Sequence, residues 1–170
     1  MFHEAVLSAP SLHLDLFLSL PGVVSSLFAR HIAMHDAVVC EGAMGLYDGV
    51  SGTLRASAWE VAEQLSLPVF LVISPDEAKE LPHFLNNKEK NISSSLVKGI
   101  FLNRCSPEEY SFLSPCLFSQ TGLPVLGYLP FLSSAAFPSR HLGLFTVEEL
   151  QNVSERMDIL GNCLLDTIDW

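Results

Sequence analysis

The sequence predicts an α/β fold, a mostly parallel sheet with flanking helices. Apolar runs at 37–41, 68–73, 98–102 and 124–128 are short and lack polar alternation, the mark of strands buried on both faces. The stretches between them carry apolar residues at helical spacing, and strand and helix patterns that alternate in this way suit βαβ units. At 170 residues the chain fits a single domain, 1–170, able to bury a real core.

Composition narrows the function classes. Nearly half the residues are apolar and 16% are charged, which argues for a globular chain. A formal net charge of −10 argues against nucleic acid, which needs a basic footprint. No uninterrupted apolar run reaches the roughly 18 residues of a membrane helix, so no membrane partner is expected. Cys40, Cys105, Cys116 and Cys163 form no CxxC pair and read as free thiols of a cytoplasmic protein.

The chain opens on Met1-Phe2-His3-Glu4-Ala5 with no lead-in strand. Ser11-Leu12-His13-Leu14-Asp15-Leu16-Phe17-Leu18 reads as a short apolar strand with an incidental histidine. From Pro21 to about His35 the spacing predicts a helix, with Val24, Leu27, Phe28 and His31 on one face. His31 and His35 have the i, i+4 spacing of a metal pair but no third ligand accompanies them on that helix.

The first buried strand, 37–41, ends in Glu41, and the glycine-rich loop after it carries Asp48 seven positions on. A carboxylate at the carboxyl end of a parallel strand lies where open α/β sheets bind ligands. The plain alternative is a loop with two solvated acids. Ser57 to Glu60 has the form of a capping box, and Ala58, Val61, Ala62 and Leu65 follow as a helical apolar face.

Residues 68–73 predict a second strand, and a helix from near Asp76 is expected to be interrupted at Pro82 before a polar surface loop at 86–91. The third strand ends in Asn103-Arg104. Ser106 to Glu109 is another capping box, opening a helix that carries Tyr110, Leu113 and Leu117 and that Pro115 should kink. Residues 124–130 supply a strand and turn, and a box at Thr146 to Glu149 precedes a stripe of Val147, Leu150, Val153, Met157, Leu160 and Leu164.

Glu41-Gly-Ala-Met-Gly-Leu-Tyr-Asp48-Gly resembles a signature of the cobyrinic acid a,c-diamide synthases. Those are two-part enzymes, a P-loop domain similar to dethiobiotin synthetase joined to a glutaminase domain, which use ATP and glutamine to amidate corrinoid carboxylates. Asn103-Arg104 after a strand, the wording of residues 124–130 and Ser139-Arg140-His141-Leu142-Gly143-Leu144 match in the same order. Ser11, Leu14 and Asp15 match a further stretch, in which Leu12 stands for an arginine and His13 for an asparagine. At the later helix start Ser57 survives, while Ala58 and Trp59 replace threonine and alanine.

The resemblance implies a cobalamin-pathway ligase with ATP and Mg²⁺ as cofactors. Glu41 would bind Mg²⁺ and Asp48 would orient the metal or substrate; both count as catalytic. Asn103, Arg104, Tyr128 and Pro130 would hold the nucleotide, with Asn103 beside the adenine. His3, Asp15 and Ser57 would face the substrate. The implied partners are a corrinoid small molecule and, as open options, a separate glutaminase or P-loop-bearing chain and a homo-oligomer. Two other readings stay open: a non-catalytic remnant or binding subunit of this fold, and a related P-loop amidoligase such as dethiobiotin synthetase.

One departure stands out. Nowhere do the 170 residues contain GxxxxGK followed by serine or threonine, the loop that cradles phosphates. An incomplete P-loop domain is therefore expected, from a truncated gene product or a fragment. In this class a further strand lies between those ending at Glu41 and Ile73. Without it the two apolar edges should associate, aggregate or pair directly with each other.

Overall fold

A computed structural model describes residues 2–7, 9–42, 44–85, 96–137, 150 and 152–168 of the chain. It divides into two compact units, residues 1–11 with 70–170 and residues 12–69. The box at Thr146 to Glu149, the 86–91 loop and the Ser139 to Leu144 motif lie outside the described residues.

The larger unit holds the sheet. Strands β1 (Val69–Ile73), β2 (Val97–Asn103) and β3 (Val125–Leu129) form a three-stranded parallel sheet in the order β1-β2-β3. Parallel neighbours need a crossover connection, and two helices supply it. They are numbered after α1 (Phe2–Leu7), α2 (Val23–Ile32) and α3 (Ala58–Leu65). Helix α4 (Pro75–Leu85) links β1 to β2, and α5 (Pro107–Thr121) links β2 to β3. The two pack on each other, so both crossovers lie on one face.

On β3 successive side chains point to opposite faces. Tyr128 meets Tyr110 of α5 with ring centroids 4.7 Å apart, and the Tyr110 hydroxyl donates to the Val125 carbonyl at 3.3 Å. On the other face Gly127 meets the end of α6 (Val153–Thr167). A Cβ on Gly127 would stand 2.5 Å from the Thr167 carbonyl oxygen and 2.8 Å from Ile168 Cα, so only glycine permits this approach. The core of the layer is Val97, Ile100, Leu102 and Leu117 with Cys105, all 3% exposed or less.

In the smaller unit α2 and α3 are joined by a long loop. Helix α2 starts after Gly22, whose φ of 82° lies in the left-handed region. It ends at Ile32, so His35 falls outside it, although the His31 and His35 rings stack at 6.0 Å. Val24 and Trp59 are buried at 1% and 2% exposure, and Trp59 takes the edge of Tyr47 at 5.5 Å. The apolar face predicted for α3 omitted this tryptophan, its most buried large side chain.

Three expectations need correction. Residues 37–41 form no strand, and Val39 is 94% exposed. A strand exists by lateral hydrogen bonding, and among the described residues no ladder reaches this run. Residues 11–18 are likewise no strand but run into a turn at 16–18. There the Asp15 Oδ1 accepts from the backbone N–H groups of Phe17 and Leu18 at 2.7 and 2.9 Å, a side chain imitating a turn. Helix α4 continues through Pro82 to Leu85. Burial of Ala78 and Leu81 favours the helix over the loss of one backbone donor. Helix α5, expected to pass through Pro115, does so and runs from Pro107 to Thr121.

Candidate functional site

An open cleft of about 430 Å³ lies at the carboxyl ends of β1 and β2, lined by Val72, Ile73, Ser74, Glu77, Asn103 and Arg104. This is where a parallel sheet presents ligand-binding residues. Two of the residues named from sequence, Asn103 and Arg104, are therefore brought together. Asn103 is half-buried and ends β2, opposite Leu129 of β3. Arg104 is exposed and sits at φ 57°, a left-handed conformation uncommon for a residue with a Cβ. Backbone pairing continues past it, because the Cys105 N–H donates to the Leu129 carbonyl at 3.1 Å. Tyr128 and Pro130 stand at the next strand end, outside the residues lining the cleft.

The cleft contains two residues that sequence reasoning missed. Ser74 and Glu77 form a capping box at the start of α4. The Glu77 Oε2 accepts from the Ser74 N–H and from its hydroxyl, each at 2.7 Å. In return the Glu77 N–H donates to the Ser74 Oγ at 3.4 Å. The hydrogen bond from the Ser74 backbone is the main reason the Glu77 carboxyl is held below its usual range; the hydroxyl bond adds to it. The signal was present, since Ser74-Pro-Asp-Glu77 has the same serine-to-glutamate spacing as the boxes recognised at 57 and 106.

Beside the cleft, Ser106 and Glu109 form the predicted box at α5, with both reciprocal bonds present at 3.2 and 2.8 Å. Cys105 is fully buried, and burial, with Glu109 as a lesser cause, pushes its thiol up to about 11. His3 is exposed on α1.

The remaining site residues belong to the 12–69 unit. Glu41 and Asp48 are both exposed. The loop between them is built by its own contacts. The Asp48 N–H donates to the Gly45 carbonyl at 2.9 Å, and a Cβ on Gly45 would collide with the Asp48 carboxylate. Gly49 is enclosed by backbone: a Cβ there would stand 2.5 Å from the Thr53 carbonyl oxygen and would overlap that of Arg55. The Trp59 N–H donates to the Leu46 carbonyl at 2.9 Å, tying the loop to α3. Ser57 is 1% exposed and its Oγ accepts from the Glu60 N–H at 3.2 Å, so its hydroxyl serves as the helix cap. Asp15 is half-buried and engaged in its turn.

Carboxylate oxygens such as those of Glu41 and Asp48 are the donors a hard cation prefers, and Mg²⁺ often takes only one or two from protein. Among the described residues no group of three or more His, Cys, Asp or Glu is arranged to hold a metal ion. Among them too, no helix is long and apolar enough to cross a membrane.

No family model matches the chain, and no solved structure matches it. Curated relatives do. The cobyrinate a,c-diamide synthase of Clostridium tetani (strain Massachusetts / E88) is 33% identical over 168 residues, which is 99% of this chain and 38% of that protein. The protein of the same name from Limosilactobacillus reuteri (strain DSM 20016) is 35% identical over 164 residues, 92% of this chain and 35% of the relative. The one from Listeria monocytogenes serovar 1/2a (strain ATCC BAA-679 / EGD-e) is 30% identical over 175 residues, again 99% and 38%. The resemblance seen in the motifs thus extends through 99% of this chain, and it is to part of the cobyrinate a,c-diamide synthases, the chain spanning about 38% of their length.

Proposed function

We propose that this chain is the later part of the ATP-binding domain of an enzyme that amidates the a and c carboxylates of cobyrinic acid, with glutamine as the nitrogen source. The observation that carries this reading is the similarity to cobyrinate a,c-diamide synthases through 99% of the chain. The location of Asn103 and Arg104 in a cleft at the carboxyl edge of a parallel sheet supports it. Asn103 meets the base of ATP, and the backbone at residues 128–130 passes beside it at the neighbouring strand end.

In the same proposal Glu41 holds Mg²⁺, whose chemistry when bound is to neutralise phosphate charge. Asp48 orients the metal or the substrate. His3, Asp15 and Ser57 are assigned to the substrate side, Asp15 and Ser57 through the turn and the helix cap that they build. The corrinoid, a separate glutaminase or P-loop-bearing chain, and a second copy of this chain are the partners the proposal admits.

Phosphate recognition in P-loop proteins needs a row of backbone N–H groups, a lysine and a helix N-terminus. The sequence has no such motif, so base contacts alone support an affinity no better than about millimolar, roughly 4 kcal/mol. Titration of the isotope-labelled chain with Mg·ATP tests this. Amide shifts should concentrate at Asn103, Arg104, Tyr128 and Leu129, with a millimolar midpoint. Shifts that spare those residues would overturn the nucleotide assignment. A micromolar constant by calorimetry would overturn the loss of phosphate binding.

A further inference from the structure

We infer that β1 is the seam of a homodimer: its open edge pairs antiparallel with β1 of a second copy of this chain, in the register that sets Phe70 opposite Val72. This gives a surface and a geometry to one of the partners admitted above, and it does not depend on the nucleotide reading. Strand β1 stands at the end of the order β1-β2-β3, and among the described residues no strand lies on its other side. An edge left in this way offers a row of backbone N–H and C=O groups to another chain. Proteins commonly blunt such an edge with charged side chains or proline. Val69-Phe70-Leu71-Val72-Ile73 carries neither.

One face of the strand is as open as its edge. Leu71 is buried at 9% exposure, whereas Phe70 and Val72, on the opposite face, are 47% and 66% exposed. The Phe70 ring meets that of Phe101 on β2 with centroids 6.1 Å apart, so the apolar surface continues onto the central strand. The sequence of the strand selects a second copy as the occupant. A two-fold axis at Leu71 sets Leu71 against Leu71, Val69 against Ile73 and Phe70 against Val72. Residues directly opposite in an antiparallel pair share a face, and an aromatic side chain opposite a β-branched one is a favourable combination. By symmetry the Phe70–Val72 pair forms twice, each member covering the other's exposed surface. Each copy carries a formal charge of −10, which favours contact between copies along an uncharged seam, and β1 is one. The contact is isologous and closes after two copies, so it gives a dimer and not a filament.

Analytical sedimentation of the 170-residue chain tests this. The mass should rise with concentration to twice 18.7 kDa, with a dissociation constant on the order of ten micromolar, as a small interface gives. Added salt should tighten the dimer by screening the charge of the two copies. Val72→Lys and, separately, Phe70→Glu should each weaken it at least about tenfold, since each buries a charge in the seam twice. Both side chains are exposed in one copy, so circular dichroism should show the fold kept. In the double variant the introduced charges are opposite in sign and face each other across the seam in this register, and the dimer should return. A chain still monomeric at about 100 μM, or a dimer that Val72→Lys leaves intact, overturns the inference. Single variants that are monomeric with no recovery in the double variant overturn the register. Should the variants fail to fold, hydrogen exchange of the unaltered chain decides. The β1 amides should gain protection as concentration rises, and protection independent of concentration would mean that the chain's own residues cover the edge, which overturns the inference.

Discussion

Strand β1 and residues 37–41 are both short apolar runs that precede a polar turn, yet they are held in different ways. Leu71 of β1 is buried at 9% exposure and the strand is paired to β2. Val39 of the other run is 94% exposed. The unit around β1 is organised by a sheet, with the core on its central strand and helices on both faces of β3. The unit around 37–41 is organised by a loop closing on itself, through Gly49, the Trp59 N–H and the Tyr47–Trp59 contact. Hydrophobicity brings a segment toward a core, but only a neighbouring strand with free backbone groups makes it a strand.

If the two units are held as described, removing each anchor should be costly within its own unit. Trp59→Ala should destabilise the 12–69 unit by about 3–5 kcal/mol, and Ile100→Ala the sheet unit by about 2–5 kcal/mol. Hydrogen exchange resolved by residue should show protection lost mainly in the unit that carries the substitution. Uniform loss in both variants would mean that the division into two units has no energetic meaning.

A smaller effect separates the sheet unit by pH. Burial raises the Cys105 thiol from 9.0 to about 11, so the folded chain keeps a proton that the unfolded chain gives up. The stability this provides is complete below about pH 9 and is lost as pH rises toward about 11, costing about 1 kcal/mol by pH 10. Urea denaturation at pH 8 and pH 10 should show this decline in the parent, and a shallower one in Cys105→Ala. Equal slopes in the two would refute it.

Capping should matter to a similar degree. Ser106→Ala should cost about 1 kcal/mol by chemical denaturation. Ser57→Ala should cost more, towards about 2 kcal/mol, because its hydroxyl is buried and the Glu60 N–H would be left unpaired. The reverse order would show that burial of the Ser57 hydroxyl adds nothing to the worth of its cap.

The smallest expected effect is the sharpest test of the opening contrast. Val39→Lys should change stability by no more than about 0.5 kcal/mol, as an exposed substitution does. A larger loss would mean that residues 37–41 occupy a buried strand after all.

Much of the sheet unit was legible because its signals are local. The runs at 68–73, 98–102 and 124–128 became β1, β2 and β3 within two residues at each end. Ser57 and Ser106 cap the helices they were expected to start. Asn103 and Arg104 were named through the resemblance, and they stand at the end of β2. Ser74 and Glu77 were legible too, at the serine-to-glutamate spacing of the other two boxes.

By itself the sequence determined the type of β1 to β3 and of α2 to α6, since apolar periodicity, capping residues and turn-forming glycines act within a few residues of one another. It also determined the likeness to part of a synthase. Tertiary structure alone decided which apolar runs became strands, that Trp59 would join Ala62 in anchoring α3, and that α4 would persist through Pro82. It also decided that Glu77 would share a cleft with Asn103. Each of these depends on a neighbour distant in sequence, supplied by pairing or burial, which no local pattern encodes.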